Sequence, residues 1–189
     1  MLGTILFIAA LAIVIVYFVM IYNRLVEIKH NVSKAWANID VLLKQRHDEL
    51  PKLVEACKQY MKFEQETLVG VMQARGRVSD AREQRDVGAL GPAEGALRGA
   101  LGKLYAVAEA YPDLKASESF RHLQGRISEL ENAIADRREF YNESVNINNV
   151  RIEQFPDSLV ASSRKFTSFE LLKFPVDETQ DVSVKQLFA

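Results

Sequence analysis

Three histidines and one cysteine are the side chains here best able to do chemistry, and their spacing gives them little to work with. His30, His47 and His122 are far apart in the chain, and neither a second His nor a Cys stands at metal-ligand spacing from any of them. There is no HExxH, so no metal site is expected. His47 lies in KQRHDEL beside Asp48 and Glu49. That juxtaposition resembles an acid/base group, but neighbouring residues on a helix point in different directions and do not converge. His47 therefore reads as a polar residue at a helix–helix seam. Cys57 sits within LVEACKQY at core spacing and reads as a small buried hydrophobe. A single cysteine excludes an internal disulfide. GxxxxGK[ST], GxGxxG and GxSxG are all absent, and Gly88, Gly91, Gly95, Gly99 and Gly102 read as loop and close-packing glycines. The expectation is a protein with no catalytic residue, no cofactor and no metal, and not an enzyme.

The remaining polar and aromatic residues read as structural. Trp36, Tyr105, Tyr111 and Tyr141 are expected in the core. Arg46, Arg137 and Arg138 have Asp40, Asp136 and Glu139 as candidate ion-pair partners. Arg137 falls on an apolar seam, where an unpaired charge is costly, so it is expected to meet a carboxylate or a second subunit. Asn148 on the same seam is expected to fix register, and is a further candidate subunit contact. Lys+Arg (24) nearly equals Asp+Glu (25), giving a net charge of −1 over 189 residues. That balance argues against nucleic acid as a partner.

What must position these residues begins with Leu2–Tyr22, LGTILFIAALAIVIVYFVMIY, which carries no charge. As a helix it reaches about 31 Å, the thickness of a bilayer core. The expected lipid-facing anchor is Leu2, Ile5, Leu6, Phe7, Ile8, Leu11, Ile13, Val14, Ile15, Val16, Phe18, Val19 and Ile21. No Lys or Arg precedes the run and VMIYNRL offers no small-x-small cleavage site, so a retained anchor is expected in preference to a signal peptide. Arg24, Lys29 and Lys34 follow it, which predicts a single pass of the bacterial inner membrane, N-terminus outside and the C-terminal domain cytoplasmic.

Leu25, Ile28, Val32, Trp36, Ile39 and Leu43 continue at three-and-four spacing without Gly or Pro, so the apolar helix is expected to run straight into a stiff soluble one. Pro51 predicts either a kink or the first position of a new helix. The period resumes through Leu53, Val54, Cys57, Met61, Leu68 and Met72, which favours one kinked helix. A loop is expected over 82–92 and a helix over 93–111, with Leu97, Leu101, Leu104, Ala108 and Tyr111 on one face. Ser117 or Ser119 can cap the next helix. Its seam reads Phe120, Leu123, Ile127, Leu130, Ile134, Arg137, Tyr141, Val145, Asn148, Ile152 and Phe155, and Pro156 stops it. After that, Leu159, Val160 and Ala161 fit one short helix. The apolar tail, with Phe166, Phe169, Phe174, Leu187 and Phe188, is expected to dock on the bundle or on a neighbouring subunit. The chain is thus expected to be all-α. Residues 1–22 form an anchor, 23–156 an antiparallel bundle of long helices and 157–189 a docking tail.

The run YNRLVEIKHNVSKAWANIDVLLKQRHDELPKLVEACKQY resembles the LemA family of bacterial membrane proteins. So does LYAVAEAYPDLKASESFRHLQGRISELENAIADRREFYNESVNINNVRIEQFPDSLVA. The resemblance implies an N-terminal anchor with a short extracytoplasmic end and an antiparallel helical bundle. It implies no reaction or cofactor, and it points to membrane organisation and vesicle or organelle formation.

Function is then expected to be that of a homo-oligomeric scaffold that uses membrane lipid, and other membrane proteins, as partners. The alternative is a monomeric adaptor presenting a helical groove to a membrane protease or sensor protein.

Overall fold

In a computed structural model, which describes residues 1–173, the chain is mostly helical, and no strand occurs among the described residues. The helices run α1 (Leu2–Lys58), α2 (Gln65–Gln84), α3 (Val87–Ala108), α4 (Pro112–Ala116), α5 (Glu118–Glu153) and α6 (Asp157–Ser163). Contacts group the chain into two units. One comprises Met1–Asp40 and Ala135–Leu171, and the other Val41–Ile134 with Leu172 and Lys173 among the described residues.

In the first unit, α1 and the second half of α5 pack antiparallel. Trp36 meets Tyr141 edge-on at 5.7 Å between ring centroids. Nearer the start of α1, Ile21 and Leu25 bury against Val160 and Ala161 of α6, with Ile152 and Phe166 packed around them. The three-and-four pattern of α1 is the one that folds inward: Leu25, Val32 and Ile39 are buried here, and Leu43 in the second unit.

In the second unit, α2 and α3 form an antiparallel hairpin against the rest of α1 and the first part of α5. Its apolar core draws Leu50 and Leu53 from α1, Leu68 and Val71 from α2, Leu97, Leu101 and Leu104 from α3, and Ile127 and Leu130 from α5.

Four expectations change here. The long helix does pass through Pro51, but it ends at Lys58 instead of continuing to Met72. Met61 remains in the core beyond that end, so packing reverses the chain where no Gly or Pro marks it. The loop expected over 82–92 shrinks to Arg85 and Asp86. Arg85 takes the left-handed conformation at φ 52°, and the Asp86 carboxylate accepts from the Ala89 N–H at 2.9 Å, an N-cap that starts α3 six residues early and carries Pro92 inside it. On α5 the seam passes from Ile134 to Tyr141 through half-buried Arg138, leaving Arg137 exposed. Phe155, beyond the helix end, is exposed as well. Ser117 supplies the start of α5, accepting from Phe120 N–H at 3.5 Å.

Pro51 also explains a cross-helix bond. A proline cannot donate to the carbonyl four residues back, which here belongs to His47. Arg75 of α2 supplies the donor, Nε to His47 O at 2.8 Å, while its Nη2 reaches His47 Nε2 at 2.5 Å. Burial first and the Arg75 cation second hold the His47 pKa below the ordinary histidine value, so the ring is the neutral acceptor. Arg75→Ala leaves that carbonyl without its donor. The expected loss is about 1–3 kcal/mol, readable in urea denaturation. Pro51→Ala in the same background should recover part of it by restoring the helical N–H. No recovery would refute this account.

Candidate functional site

Two places concentrate unusual features, one in each unit. In the first unit the feature is exposure. Every residue from Leu2 to Met20 is open, with Phe7 at 71% and Ile8 at 64% of full exposure, and among the described residues only α6 borders this apolar surface, at its last turns. The mean hydropathy reaches 3.0, and the segment is long and apolar enough to cross a membrane. Of the anchor residues expected from sequence, only Ile21 is covered, by α6. Tyr22 ends the apolar run with its ring edge-on to Phe166 at 6.1 Å between centroids, and the Arg164 guanidinium lies 5.8 Å from its centre.

The segment after α6 docks on its own chain through bonds to the backbone of Thr167, Phe169 and Glu170. Asn149 of α5 both donates to the Phe169 carbonyl at 2.9 Å and accepts from the Phe169 N–H at 3.0 Å, pairing with that backbone as a neighbouring strand would. Asn148, buried, donates to Thr167 O at 3.3 Å, and the Tyr141 hydroxyl donates to Glu170 O at 3.0 Å. Of the residues offered as subunit contacts, Asn148, Phe166 and the backbone of Phe169 have these partners within the chain. Arg137 lies on an exposed face. Phe174, Leu187 and Phe188 lie outside the described residues.

In the second unit the feature is buried charge. Arg46 and Glu94, 3% and 4% exposed, pair through Nη2 and Oε1 at 2.5 Å. The carboxylate paired with Arg46 at this distance therefore belongs to α3. Glu131 of α5 lies in the same field. Burial raises its pKa, Arg46 and Arg98 pull it down, and Glu94 pushes it up again, with the net shift upward. Glu131 Oε1, Tyr105 OH and Arg46 Nε are buried without hydrogen-bond partners among the described residues. Burial, with Glu131 nearby, drives the Tyr105 phenol well above its usual value, and burial pushes the Cys57 thiol up to about 11. A thiol so shifted is a poor nucleophile at neutral pH.

A carboxyl whose folded pKa exceeds its unfolded one favours the fold below the unfolded pKa and loses that contribution as pH rises through the folded pKa. Glu131→Gln should therefore raise the Tm at pH 7 relative to wild type, with the difference fading near pH 4. A lower Tm for the variant at pH 7 would count against this reading of Glu131.

His30 and His122 are exposed and His47 is spent on Arg75. Among the described residues no three His, Cys, Asp or Glu side chains group to hold a metal ion. Glu94 was missed in the sequence because nothing local distinguishes a buried glutamate from a solvated one.

The LemA family model matches residues 35–186. Among curated proteins the chain is similar to "Protein LemA" of Metamycoplasma hominis, 31% identical over 181 residues, spanning 92% of this chain and 78% of that one. It is also similar to "Magnetosome protein MamQ 2" of Paramagnetospirillum magneticum, 25% identical over 190 residues, spanning 88% and 70%. With "Magnetosome protein MamQ" of Magnetospirillum gryphiswaldense it shares 32% identity over 78 residues, 41% of this chain and 29% of the other.

Proposed function

Since the chain belongs to the LemA family, and its first helix carries an uncovered apolar span, we propose that it is a membrane-anchored helical scaffold whose copies assemble and organise membrane or membrane proteins. The observation that carries this reading is the open surface of Leu2–Met20 on a helix that continues to Lys58. Nineteen uncharged, mostly apolar residues left in water would be an untenable surface, whereas in acyl chains they are at home. The positive charges that follow, Arg24, Lys29 and Lys34, support an inner-membrane protein with its N-terminus outside and its later helices in the cytoplasm.

Self-association finds support on α5. Phe140, Ile147 and Val150 are exposed at spacings of seven and three, a stripe along one helix face. Arg137 stands one turn before Phe140 on the same open side. Anchoring all copies in one plane raises their effective concentration, so even a modest stripe can assemble. The relatives named as magnetosome proteins, and the membrane organisation that the family resemblance implies, support the same role.

The test is the particle mass of full-length protein in detergent micelles, by light scattering that subtracts the detergent. Several copies per particle are expected, falling to one when Phe140 and Ile147 are both changed to Glu. A wild-type particle that held one copy would defeat the scaffold reading. A stoichiometric foreign protein co-purifying with that single copy would instead establish the adaptor alternative.

A further inference from the structure

The geometry points to a binding site for one anionic phospholipid at the end of the apolar span, a proposal that rests on the anchoring reading above. A groove of about 420 Å³ opens there between α1 and α6. One end is apolar, walled by Ile15, Phe18 and Val19 of α1 and by Leu159 and Val160 of α6. The other end is polar and carries Tyr22, Ser163 and Arg164. The size lies in the range of small-molecule sites, and the division into a greasy and a cationic end is that of a lipid.

The occupant follows from where the walls lie. Ile15, Phe18 and Val19 belong to the stretch that sits among acyl chains, so the groove opens onto hydrocarbon and a tail is what fills it. Val160 packs on Ile21, which places α6 alongside the last turn of the span, where headgroups begin. Arg164 and Lys165 follow each other at that level, and Lys165 adopts φ 55°, a left-handed turn that redirects the chain as α6 ends. The Asp157 carboxylate is engaged by Arg151 at 3.3 Å and does not neutralise this corner. Arg164 meets the face of Tyr22 and Ser163 Oγ donates to Val160 O, which leaves its oxygen able to accept from a glycerol hydroxyl. Leu159, in the groove wall, is 53% exposed, apolar surface that suits a membrane interface better than water.

Full-length protein in detergent micelles, titrated with phosphatidylglycerol or phosphatidylcholine and read by native mass spectrometry, tests the site. One phosphatidylglycerol per chain should be retained, at about fivefold or greater preference over phosphatidylcholine, the worth of one well-placed cation. Arg164→Gln should erase the preference. Val19→Phe, at an exposed position where the fold is indifferent, should close the groove and reduce retention of both lipids. Equal retention of the two lipids by wild type, or variants that behave as wild type, would overturn the proposal. So would a change in copies per particle with Val19→Phe at unchanged lipid, which would make the groove a contact between chains. Flotation with membrane vesicles separates the two readings. Wild type that floats but shows no lipid preference removes only the lipid site. Wild type that fails to float removes the anchor and the lipid site together.

Discussion

Arg46→Met will destabilise the protein by about 3–5 kcal/mol at pH 7, the usual consequence of leaving a buried charge without its partner. Methionine matches the stem of arginine in length, so the loss is electrostatic rather than a packing defect. Arg46 is the guanidinium paired with Glu94 and the largest cationic influence on Glu131. Removing it strands two carboxylates in one region, with Arg98 left to act on Glu131. For a domain of this size the Tm should fall by roughly 10 °C. The loss should shrink as pH falls, because Glu131, whose pKa burial already raises, can then bind a proton instead of remaining charged in the interior. Glu94→Ala should do less damage than Arg46→Met, since it leaves the guanidinium in the field of Glu131 whereas Arg46→Met removes the cation that acts on both carboxylates. Arg46→Met combined with Glu94→Leu should return most of the stability. Thermal unfolding of the four proteins at pH 7 and pH 5 decides it. A loss below about 1 kcal/mol for Arg46→Met, or one independent of pH, would show that the pair is not the fixed charge centre of this unit.

The sequence marks Arg46 for an ion pair but does not point to Glu94 as its partner, whereas much of the fold around the pair can be read from it. Leu25, Val32, Ile39 and Leu43 follow a period that only a helix buried on one face produces, and all four are buried. The same holds for Leu97, Leu101, Leu104 and Ala108 on α3. These residues were legible because burial of a helix face is a local, repeating demand. Non-local demands leave no such trace. Residues 46 and 94 are paired by the way three helices meet, and neither lies in a distinctive local pattern. The end of α1 at Lys58 is set by packing around Met61 rather than by a breaker. The turn at Arg85 and Asp86 hid behind Gly88, Gly91 and Pro92, residues that usually mark loops, because one capping carboxylate and helical neighbours outweighed them. On α5, steps of three then four and of four then three both fit the apolar pattern, and the choice between Arg137 and Arg138 rests on which neighbour packs there. Asn149 is the clearest omission: its amide pairs with the Phe169 backbone, twenty residues away, a contact with no helical signature at all.

Replacing both Leu11 and Val14 with Arg will release the protein from the membrane, while Leu11→Arg alone will not. Thirteen Leu, Ile, Val and Phe side chains lie between Leu2 and Ile21. Each contributes about −0.3 to −0.6 kcal/mol to insertion near a helix centre, roughly −6 kcal/mol in all. One central Arg adds about 3 kcal/mol and removes one apolar contribution, so about −2 to −3 kcal/mol remains and insertion still wins. A second Arg one turn on brings the sum to about zero or slightly above, and two like charges on one helix face repel each other further. Both positions are exposed on α1 and touch nothing in either unit's core, so the fold elsewhere provides no competing explanation for a loss of membrane binding. Flotation of cell membranes in a sucrose gradient reads the outcome: wild type and the single variant should rise with the vesicles, and the double variant should stay at the bottom. Leu11→Met with Val14→Ala keeps the segment uncharged and should float as wild type does. If the doubly charged chain still rose, attachment would have to come from another surface, and the uncovered side chains of Leu2–Met20 would need a protein partner in place of lipid.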